Sequence, residues 1–284
     1  MPSPADTAII TVSYNSSAQL ADFLAAAIQC VNSPSQIFVA DNASADVDLT
    51  RTLTAQCGAT VVQLDDNYGY GGAINRALAA VPTDLTTLII CNPDAVLTPA
   101  AVDRLRAEVS NPAIGLAGPR ILNEDGTTYP SGRAIPSIGN GIGHALFANI
   151  WKSNPWTKKY HAKAYLEDTT QEVGWVSGSC IAIRRETFEN VGGFDKAYFM
   201  YFEDVDLAYR LGQQGLTNLY VPEVSITHLG GESTKAVKKH MLKVHHDSAM
   251  HFISMRYPGM LWAPLRGVIR LGLNVRLWLE TREQ

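Results

Sequence analysis

Residues 86–99 of the chain have the sequence TTLIICNPDAVLTP, a run of apolar and β-branched residues that ends in an Asn-Pro-Asp turn. The run predicts a strand over Thr86–Asn92 that is buried on both faces, which is typical of a parallel sheet covered by helices. Pro93 stiffens the turn, and Asp94 presents a carboxylate where the strand ends. Ligands of open α/β sheets bind at that edge. The stretch therefore predicts an α/β fold with a polar site at the edge of its sheet.

Three strands of the same kind are predicted before it, with helices between them. The strands are Thr7–Tyr14, Gln36–Asp41 and Ala59–Leu64, and the helices are Ser17–Gln29 and Gly71–Ala79. Each strand is followed by polar residues, namely Tyr14-Asn15, Asp41-Asn42 and Asp66-Asn67. Because parallel strands end at one edge of a sheet, we expect these side chains to lie near Asp94. Capping of the next helix or turn is the structural alternative for these acids.

The composition is that of a globular protein and argues against some classes of function. The 284 residues are 46% hydrophobic and carry a net charge of -4, which favours one large domain and disfavours a general nucleic-acid binder. The first residues lack a basic segment before an apolar one, so no secretory leader is expected. The four cysteines are scattered without a CxxC pair, which predicts thiols in a reducing compartment.

The middle of the chain is predicted to be less regular. Residues 123–172 are rich in Gly, Pro, Ser and Asn, which predicts long loops with a short helix at Gly143–Trp151, as a lid or partner surface. Residues 174–185 return to strand character, and two short strands follow between 216 and 228. The turn DDNYGYGGAINRAL lets the backbone approach a phosphate or sugar closely. It does not match GxGxxG, which argues against a dinucleotide site.

Three carboxylates follow a block of aromatic residues in YFMYFEDVDLAYRLG, residues 198–212. A helix is predicted over Val205–Gln214, and acids in a first turn stabilise a helix by about 0.3–1 kcal/mol through its dipole. Asp206 can also pair with Arg210 at i, i+4 spacing. These are structural explanations. Burial beside the aromatic block would instead raise the pKa of a carboxyl group towards the range that suits a general base.

Six motifs in a fixed order within residues 7–230 resemble the inverting glycosyltransferases of family 2, which have the GT-A fold. The motifs are VSYNS, VADNAS, NYGYGGAIN, NPDA, WVSGSCIAIRRETFENVGGFD and FMYFEDVDLAYRL. Within that family the chain looks most like rhamnosyltransferases that use dTDP-L-rhamnose and act on N-acetylglucosaminyl-diphospho-polyprenol in cell-wall or surface polysaccharide assembly. The resemblance implies a mostly parallel sheet flanked by helices, with a donor half over about residues 1–120 and an acceptor half over 121–230.

The resemblance also assigns roles to single residues. The donor nucleotide and sugar would be bound by Tyr14, Asn15, Asp41, Asn67, Gly69, Asn75 and Asp94. A metal ion, Mg²⁺ or Mn²⁺, would be bound by Asp94 and His228, with more weight on His228 because position 92 is Asn where the family often has Asp. Asp204, the second acid of a Glu-Asp pair, would be the general base. The acceptor would be bound by Trp175, Ser177, Gly178 and Glu203. A Trp in a core strand and a surface His are the structural alternatives for Trp175 and His228.

Residues 231–284 are predicted to form a basic helical segment. From Ser233 to Arg276 there are eight Lys or Arg against one acid, Asp247, which predicts contact with an anionic partner. The last part mixes tryptophans and aliphatic residues with arginines, which is unlike a transmembrane span and fits an interfacial helix on a membrane. Burial against a second subunit of a homodimer is the competing interpretation. The expected location is cytoplasmic, at the inner face of the cell membrane.

Other functions are weighed against this one. A family 2 enzyme for another nucleotide sugar, such as one of galactose, GlcNAc or mannose, would share the motifs of the first half. A non-catalytic nucleotide-sugar or glycan-binding protein would bind a donor without turnover, and the retained Asp94, Asp204 and His228 argue against it. A sugar-phosphate nucleotidyltransferase would carry a basic glycine-rich loop after the first strand, where SYNSSAQL has no basic residue.

Overall fold

The computed structural model describes residues 6–137, 168–230 and 238–282. The helix predicted at Gly143–Trp151 lies outside the described residues. The strands are β1 (Thr7–Ser13), β2 (Ile37–Asp41), β3 (Thr60–Gln63), β4 (Thr87–Cys91), β5 (Ala95–Val96), β6 (Ile114–Leu122), β7 (Thr128–Tyr129), β8 (Gly132–Arg133), β9 (Gln171–Val173), β10 (Trp175–Val176), β11 (Cys180–Arg184) and β12 (Thr217–His228). The α-helices are α1 (Ser17–Ile28), α2 (Val47–Cys57), α3 (Gly69–Ala77), α4 (Pro99–Val109), α5 (Arg185–Asn190), α6 (Glu203–Gln213), α7 (Lys238–Arg256) and α8 (Ala263–Arg282).

The strands form one ten-stranded sheet and a separate two-stranded sheet. The order in the large sheet is β3-β2-β1-β4-β11-β6-β12-β5, with β7 beside β6 and β9 beside β12, while β8 pairs with β10. Strands β1 to β4 are parallel, and β11 lies antiparallel between β4 and β6. The predicted α/β architecture with flanking helices is confirmed. The sheet is parallel in the donor half and mixed in the acceptor half.

The first four predicted strands agree with the structure to within one residue at each end. The prediction of two short strands between 216 and 228 is wrong, because β12 is one strand whose register shifts between Val221 and Ser225. Pro222 lies in this irregularity, which is where a strand tolerates proline. The strand predicted over 174–185 is divided into β10 and β11 by a turn. The helix predicted from Val205 begins two residues earlier, at Glu203.

Apolar side chains fill both faces of the large sheet. Successive residues of a strand point to opposite faces, so Ile9 and Ile10 of β1 belong to two different core clusters. Phe23 of α1 and Leu105 of α4 close the cluster around Ile9. The cluster around Ile10 includes Phe252 of α7, which is fully buried. Helix α7 is therefore built into the core of the domain.

The last helix, α8, packs on α7 through one side only. Ala249 and Met250 of α7 meet Ile269 and Leu273 of α8 in a small separate cluster. The other side of α8 carries large apolar side chains that are 48–66% exposed, namely Val268, Leu271, Val275, Trp278 and Leu279. Within the described residues, no helix has the length and apolar character that a membrane span requires.

The glycine-rich turn at the start of α3 is in contact with protein backbone. Gly69 has a φ of 70°, and a Cβ atom added there would lie 1.8 Å from the Phe199 carbonyl oxygen. The next amide, that of Tyr70, donates a hydrogen bond of 3.0 Å to the same oxygen. The missing side chain at Gly69 therefore lets α3 dock on the aromatic block that precedes α6. Sequence analysis linked this glycine only to a ligand.

Substitution of Gly69 tests this contact. Gly69→Ala should lower the free energy of unfolding by about 3 kcal/mol, because a left-handed φ and an overlap with backbone both disfavour a Cβ atom. Gly126→Ala is the matched control, since Gly126 has a φ of 78° and nothing within 4 Å of an added Cβ; it should lose about 1 kcal/mol. Urea unfolding of both variants gives the comparison. Equal losses would show that the Phe199 contact contributes nothing.

Candidate active site

The ends of β1 and β2 are joined by a polar network that holds three predicted nucleotide-binding residues. The buried Asp41 accepts a hydrogen bond of 2.9 Å from the Ser44 amide through Oδ1, while its Oδ2 has no hydrogen-bond partner among the described residues. The Asn15 amide donates to Ser44 Oγ at 3.1 Å, and Asn15 Oδ1 accepts from the Ala45 amide at 2.8 Å. The ring of Tyr14 is 44% exposed beside them. The structure brings Tyr14, Asn15 and Asp41 together as expected.

Two asparagines organise the glycine-rich turn. Asn67 Oδ1 accepts from Asn42 Nδ2 at 2.8 Å and from the Gly69 amide at 3.0 Å. Asn42 Oδ1 accepts in turn from the Tyr68 amide at 2.9 Å. The turn after β3 is thus tied to the end of β2. Asn42 is a residue whose role sequence analysis missed, because its partners lie about 25 residues away along the chain.

Asn75 is placed differently from the other predicted donor residues. Its Nδ2 donates to the Phe194 carbonyl at 2.7 Å, and its Oδ1 accepts from the Phe194 amide at 3.0 Å. Both ends of the amide therefore bind backbone that leads towards α6. The structure gives Asn75 a role in joining the two halves, and its role in donor binding stays a prediction.

Asp94 and His228 meet at the other side of the same edge. Asp94 Oδ1 lies 3.1 Å from His228 Nε2, and Asn92 Nδ2 lies 3.0 Å from the same nitrogen. The short strand β5 causes this meeting, because it pairs with the end of β12 in a register that sets Ala95 opposite His228. The two residues predicted as metal ligands are thus neighbours in space despite their distance in sequence.

The geometry of this pair fits a divalent cation. Neighbouring ligand atoms on an octahedral ion with bonds of about 2.1 Å lie about 3 Å apart, which matches the separation of Asp94 Oδ1 from His228 Nε2. The Asp94 carboxylate is a donor that both Mg²⁺ and Mn²⁺ favour, and substrate oxygens would fill further positions; the His228 imidazole is a softer donor that suits a transition metal such as Mn²⁺ better than Mg²⁺. In the part of the chain that the structure describes, no group of three or more ligand side chains occurs.

Asp204, at the start of α6, is held by backbone amides. Its Oδ2 accepts from the Gly178 amide at 2.9 Å, and its Oδ1 accepts from the Val205 amide at 2.8 Å. A Cβ atom at Gly178 would lie 3.3 Å from that of Asp204, so a small residue is needed for this approach. The Tyr70 hydroxyl donates to the Gly178 carbonyl at 2.9 Å. Residues from α3, from the turn after β10 and from α6 therefore converge on one carboxylate.

The neighbouring acid has a different environment. Glu203 is 7% exposed, and its Oε2 has no hydrogen-bond partner among the described residues. Burial, together with the charge of Asp204, raises the pKa of Glu203 to about 8. Burial also raises the pKa of Asp204, but the amides of Gly178 and Val205 and the charge of Arg133 oppose that shift. Of the two acids, Glu203 has the pKa that burial raises to about 8, whereas Asp204 has amide donors that favour its charged form.

Asp206, the third acid of the motif, has a structural role. Asp206 is buried and pairs with Arg210, whose Nε lies 2.7 Å from Asp206 Oδ2. Arg210 also donates to the Val191 carbonyl at 2.7 Å and to the Gly193 carbonyl at 2.8 Å. Asp206 thus has the i, i+4 partner that its spacing predicts, and it fixes α6 to the preceding loop. Asp204 is not needed for that task.

The aromatic block in front of α6 is partly covered. Tyr201 and Phe202 have φ values of 68° and 67°, which are strained for residues with side chains. Their ring centroids lie 5.3 and 5.5 Å from the His245 ring of α7, and Phe202 also packs on Phe252. Phe199 remains 37% exposed. The block of aromatic residues is therefore accessible at Phe199, whereas Tyr201 and Phe202 form the surface on which α7 docks.

The predicted acceptor residues lie in and around the turn beside Asp204. Ser177 Oγ lies 3.1 Å from Ser179 Oγ, and Gly178 forms the contact with the carboxylate described above. Trp175 is only 7% exposed, and its Nε1 donates to the Ala134 carbonyl at 3.1 Å. Trp175 thus has the buried position of the structural alternative, and its contact with an acceptor stays a prediction. The same holds for the buried Glu203.

The pH dependence of stability tests the protonation of Glu203. Because its pKa is raised from 4.5 to about 8, the folded state keeps a proton that the unfolded state loses, so stability falls as the pH rises through this window. Glu203→Gln cannot ionise and should lack this decline, gaining on the order of 3 kcal/mol on the wild type between pH 5 and 8. Urea unfolding at several pH values measures the difference.

The exposed Glu186, which lies in the first turn of α5, provides the matched control for this measurement. Glu186→Gln should keep the decline in stability that the wild type shows between pH 5 and 8. A Glu203→Gln curve parallel to that of the wild type would contradict the protonated state of Glu203.

The chain is similar in sequence to known glycosyltransferases. The family model described as "Glycosyltransferase like family 2" matches residues 4–244. An N-acetylglucosaminyl-diphospho-decaprenol L-rhamnosyltransferase of Mycobacterium tuberculosis is 36% identical over 96% of this chain and 92% of its own length. The rhamnosyltransferase WbbL of Escherichia coli K12 is 32% identical over 66% of this chain and 71% of its own length.

Solved structures share the fold at low sequence identity. The mannosyltransferase PcManGT from Pyrobaculum calidifontis, in complex with GDP-Man and Mn²⁺, has a TM-score of 0.59 at 15% identity, covering 96% of this chain and 72% of that chain. GalNAc-T7 with UDP, GalNAc and Mn²⁺ has a TM-score of 0.58 at 16% identity, covering 95% of this chain and 54% of that chain. The mixed sheet with its flanking helices is the GT-A fold of these proteins, and the chain belongs to glycosyltransferase family 2 as a glycosyltransferase.

Proposed function

We propose that this chain is an inverting, metal-dependent rhamnosyltransferase. It would move L-rhamnose from dTDP-L-rhamnose to a polyprenyl-diphosphate-linked GlcNAc in cell-wall or surface polysaccharide assembly. The relative of 36% identity over nearly the whole chain supports the donor sugar and the acceptor. The observation that carries the proposed chemistry is the position of Asp204, which two backbone amides fix beside Glu203, a carboxyl group whose pKa burial raises to about 8.

The donor would bind along the ends of β1, β2 and β3. The exposed ring of Tyr14 offers a stacking surface for the base, and Asp41 offers a carboxylate oxygen that accepts from a pyrimidine N–H. Asn15 and Asn67 hold the loops on which these contacts depend. Asp94 and His228 would hold Mg²⁺ or Mn²⁺ beside the donor diphosphate. The bound cation would supply positive charge that stabilises the leaving nucleoside diphosphate.

The transfer itself would be a single displacement at the anomeric carbon. Asp204 would accept the proton of the acceptor hydroxyl while that oxygen attacks the carbon on the face opposite the diphosphate. Glu203 would keep its own proton, because a second carboxylate next to Asp204 would make two adjacent charges in a buried place. The Gly178 amide fixes the direction in which the base points. The products would be dTDP and a rhamnosyl-GlcNAc lipid whose anomeric configuration is opposite to that of the donor.

The base and the donor sugar are tested together by Asp204→Asn. Wild type should release product with dTDP-rhamnose, Mg²⁺ and a short-chain lipid-diphosphate-GlcNAc. UDP-GlcNAc, UDP-galactose and GDP-mannose should give none. Asp204→Asn should lose 10²- to 10⁴-fold in kcat, because it removes the proton acceptor. It should bind the donor with an unchanged Kd, which isothermal titration measures.

Asp84→Asn is the matched control, because Asp84 is an exposed carboxylate just before β4, at the opposite end of the sheet. It should retain wild-type activity. If another donor is turned over, the chain is still a glycosyltransferase, and its donor sugar is that sugar instead of rhamnose. Donor binding without turnover by wild type would identify a non-catalytic binding protein, and an active Asp204→Asn would exclude this base.

The chain is also proposed to act at the cytoplasmic face of the membrane, through α8. Val268, Leu271, Val275 and Leu279 lie 3, 4 and 4 residues apart, so they form one stripe along the helix, and each is at least 48% exposed. Arg270 is exposed on another side of α8, about 100° around the helix from Leu271. Of the predicted basic lysines, Lys235 lies outside the described residues, and Lys243 pairs with Asp247 at 2.7 Å.

Vesicle binding tests this surface. Leu271→Ser combined with Val275→Ser and Leu279→Ser should reduce co-sedimentation with vesicles of anionic phospholipid at least tenfold, because it removes apolar area from the interface. Leu49→Ser, at a side chain that is 49% exposed on α2, should bind vesicles like the wild type. Unchanged binding by the triple variant would contradict the proposal. If the wild type sediments as a dimer and does not bind vesicles, the apolar stripe is a contact with a second subunit.

A further inference from the structure

Arg133 lies on the short strand that supports the turn beside the base. In the two-stranded sheet, β8 pairs with β10 so that Arg133 is opposite Trp175 and Gly132 is opposite Val176. The Ser177 amide extends this pairing by donating to the Ser131 carbonyl at 2.9 Å. Gly178, which binds Asp204, follows directly. The backbone of Arg133 is therefore joined to the wall of the proposed acceptor site.

The guanidinium group of Arg133 is held in one orientation. Its Nε donates to the Pro130 carbonyl at 2.5 Å, and its central carbon lies 5.2 Å from the Trp175 ring centroid and 5.3 Å from that of Tyr129. No residue within the described ranges accepts a hydrogen bond from its two terminal nitrogens. A fixed guanidinium with two amino groups side by side matches the oxygens of a phosphate group.

The charge of Arg133 is not neutralised by a neighbouring carboxylate. Arg120, Arg185 and Arg210 each contact a carboxylate, at 2.6, 2.8 and 2.7 Å respectively. For Arg133, no carboxylate of the described residues lies within 4 Å of the guanidinium. It is nevertheless near enough to Asp204 to lower the pKa of that group. A half-buried, unneutralised cation beside the base is suited to an anionic part of a substrate.

The surroundings of Arg133 also leave room for a ligand. Tyr129, on which its guanidinium lies, lines a cleft of 620 Å³ that extends to His228. Glu124 and Asp125 line the same cleft and would repel an anion from its far side. Arg133, which contacts the Tyr129 ring and whose charge acts on Asp204, is thus a cation that can attract an anion near both. An acceptor that presents a sugar hydroxyl to Asp204 carries its diphosphate one sugar ring away from that hydroxyl.

We propose that Arg133 binds the diphosphate that joins the acceptor sugar to its lipid. In this role it positions the acceptor hydroxyl at Asp204 by holding the other end of the sugar. The inference rests on the proposed function for the nature of the acceptor. It adds a binding residue that sequence analysis did not select, since its partners at positions 129 and 175 become visible only in the fold.

Two acceptors separate this role from an effect on the base. Wild type, Arg133→Gln and Arg133→Lys would be assayed with a short-chain lipid-diphosphate-GlcNAc and with an uncharged alkyl GlcNAc. For Arg133→Gln, the KM of the diphosphate acceptor should rise at least tenfold, while the KM of the uncharged acceptor stays within twofold of wild type. Arg133→Lys should be intermediate, because it keeps the charge and loses the two-pronged geometry. Arg104→Gln, at an exposed pair with Glu108, is the control and should match the wild type.

Equal changes with both acceptors, or a shifted pH profile of kcat with unchanged KM values, would overturn the inference and assign Arg133 to the base. A binding measurement without turnover keeps this test independent of the proposed function. With saturating dTDP and Mg²⁺ to occupy the donor site, farnesyl diphosphate should bind at least tenfold more weakly to Arg133→Gln than to wild type. Equal binding would refute the site. If wild type binds the probe through Arg133 but does not use the lipid-linked GlcNAc, only the proposed acceptor fails.

Discussion

The hydrogen bond from the Gly178 amide to Asp204 is the contact on which the site depends. It joins the turn after β10 to the first residues of α6, which are otherwise separate parts of the acceptor half. The Tyr70 hydroxyl of α3 donates to the carbonyl oxygen of the same residue, Gly178, which belongs to the next peptide group. The donor half, the turn and the base helix are therefore positioned by one glycine. The two amide donors favour the charged form of Asp204, and Glu203, whose Oε2 has no hydrogen-bond partner among the described residues, has a pKa raised to about 8.

This arrangement requires strain close to the base, and the C-terminal helices offset it. Two successive residues with positive φ, Tyr201 and Phe202, turn the chain into α6 at a cost of about 1–3 kcal/mol each. Their rings pack on His245 and Phe252 of α7. Burial lowers the pKa of His245 to about 4, so its ring is neutral at neutral pH and can pack against the aromatic rings. The helix that carries the proposed membrane surface thus rests on α7, which supports the base. The proposed membrane surface and the proposed base, Asp204, therefore lie on elements that contact α7.

Much of the donor half could be predicted from sequence, because its signals are local. Apolar runs followed by polar turns located β1 to β4 to within one residue, and the turn at Asp94 was placed at the correct edge. The contacts of Tyr70, Arg133 and Phe252 could not be predicted, because each joins residues that are tens to more than a hundred positions apart. Gly69 shows the limit of a motif: its glycine suggested a ligand, and the fold uses it for the Phe199 carbonyl.

In the proposed reaction, Asp204 receives the proton of the acceptor hydroxyl. A crystal structure with a non-transferable analogue of dTDP-rhamnose, Mn²⁺ and a short-chain lipid-diphosphate-GlcNAc would test it most directly. We expect an acceptor hydroxyl about 3 Å from a carboxylate oxygen of Asp204, on the face of the donor sugar opposite its diphosphate. An acceptor hydroxyl placed against another side chain, with Asp204 bound only to Gly178 and Val205, would contradict it.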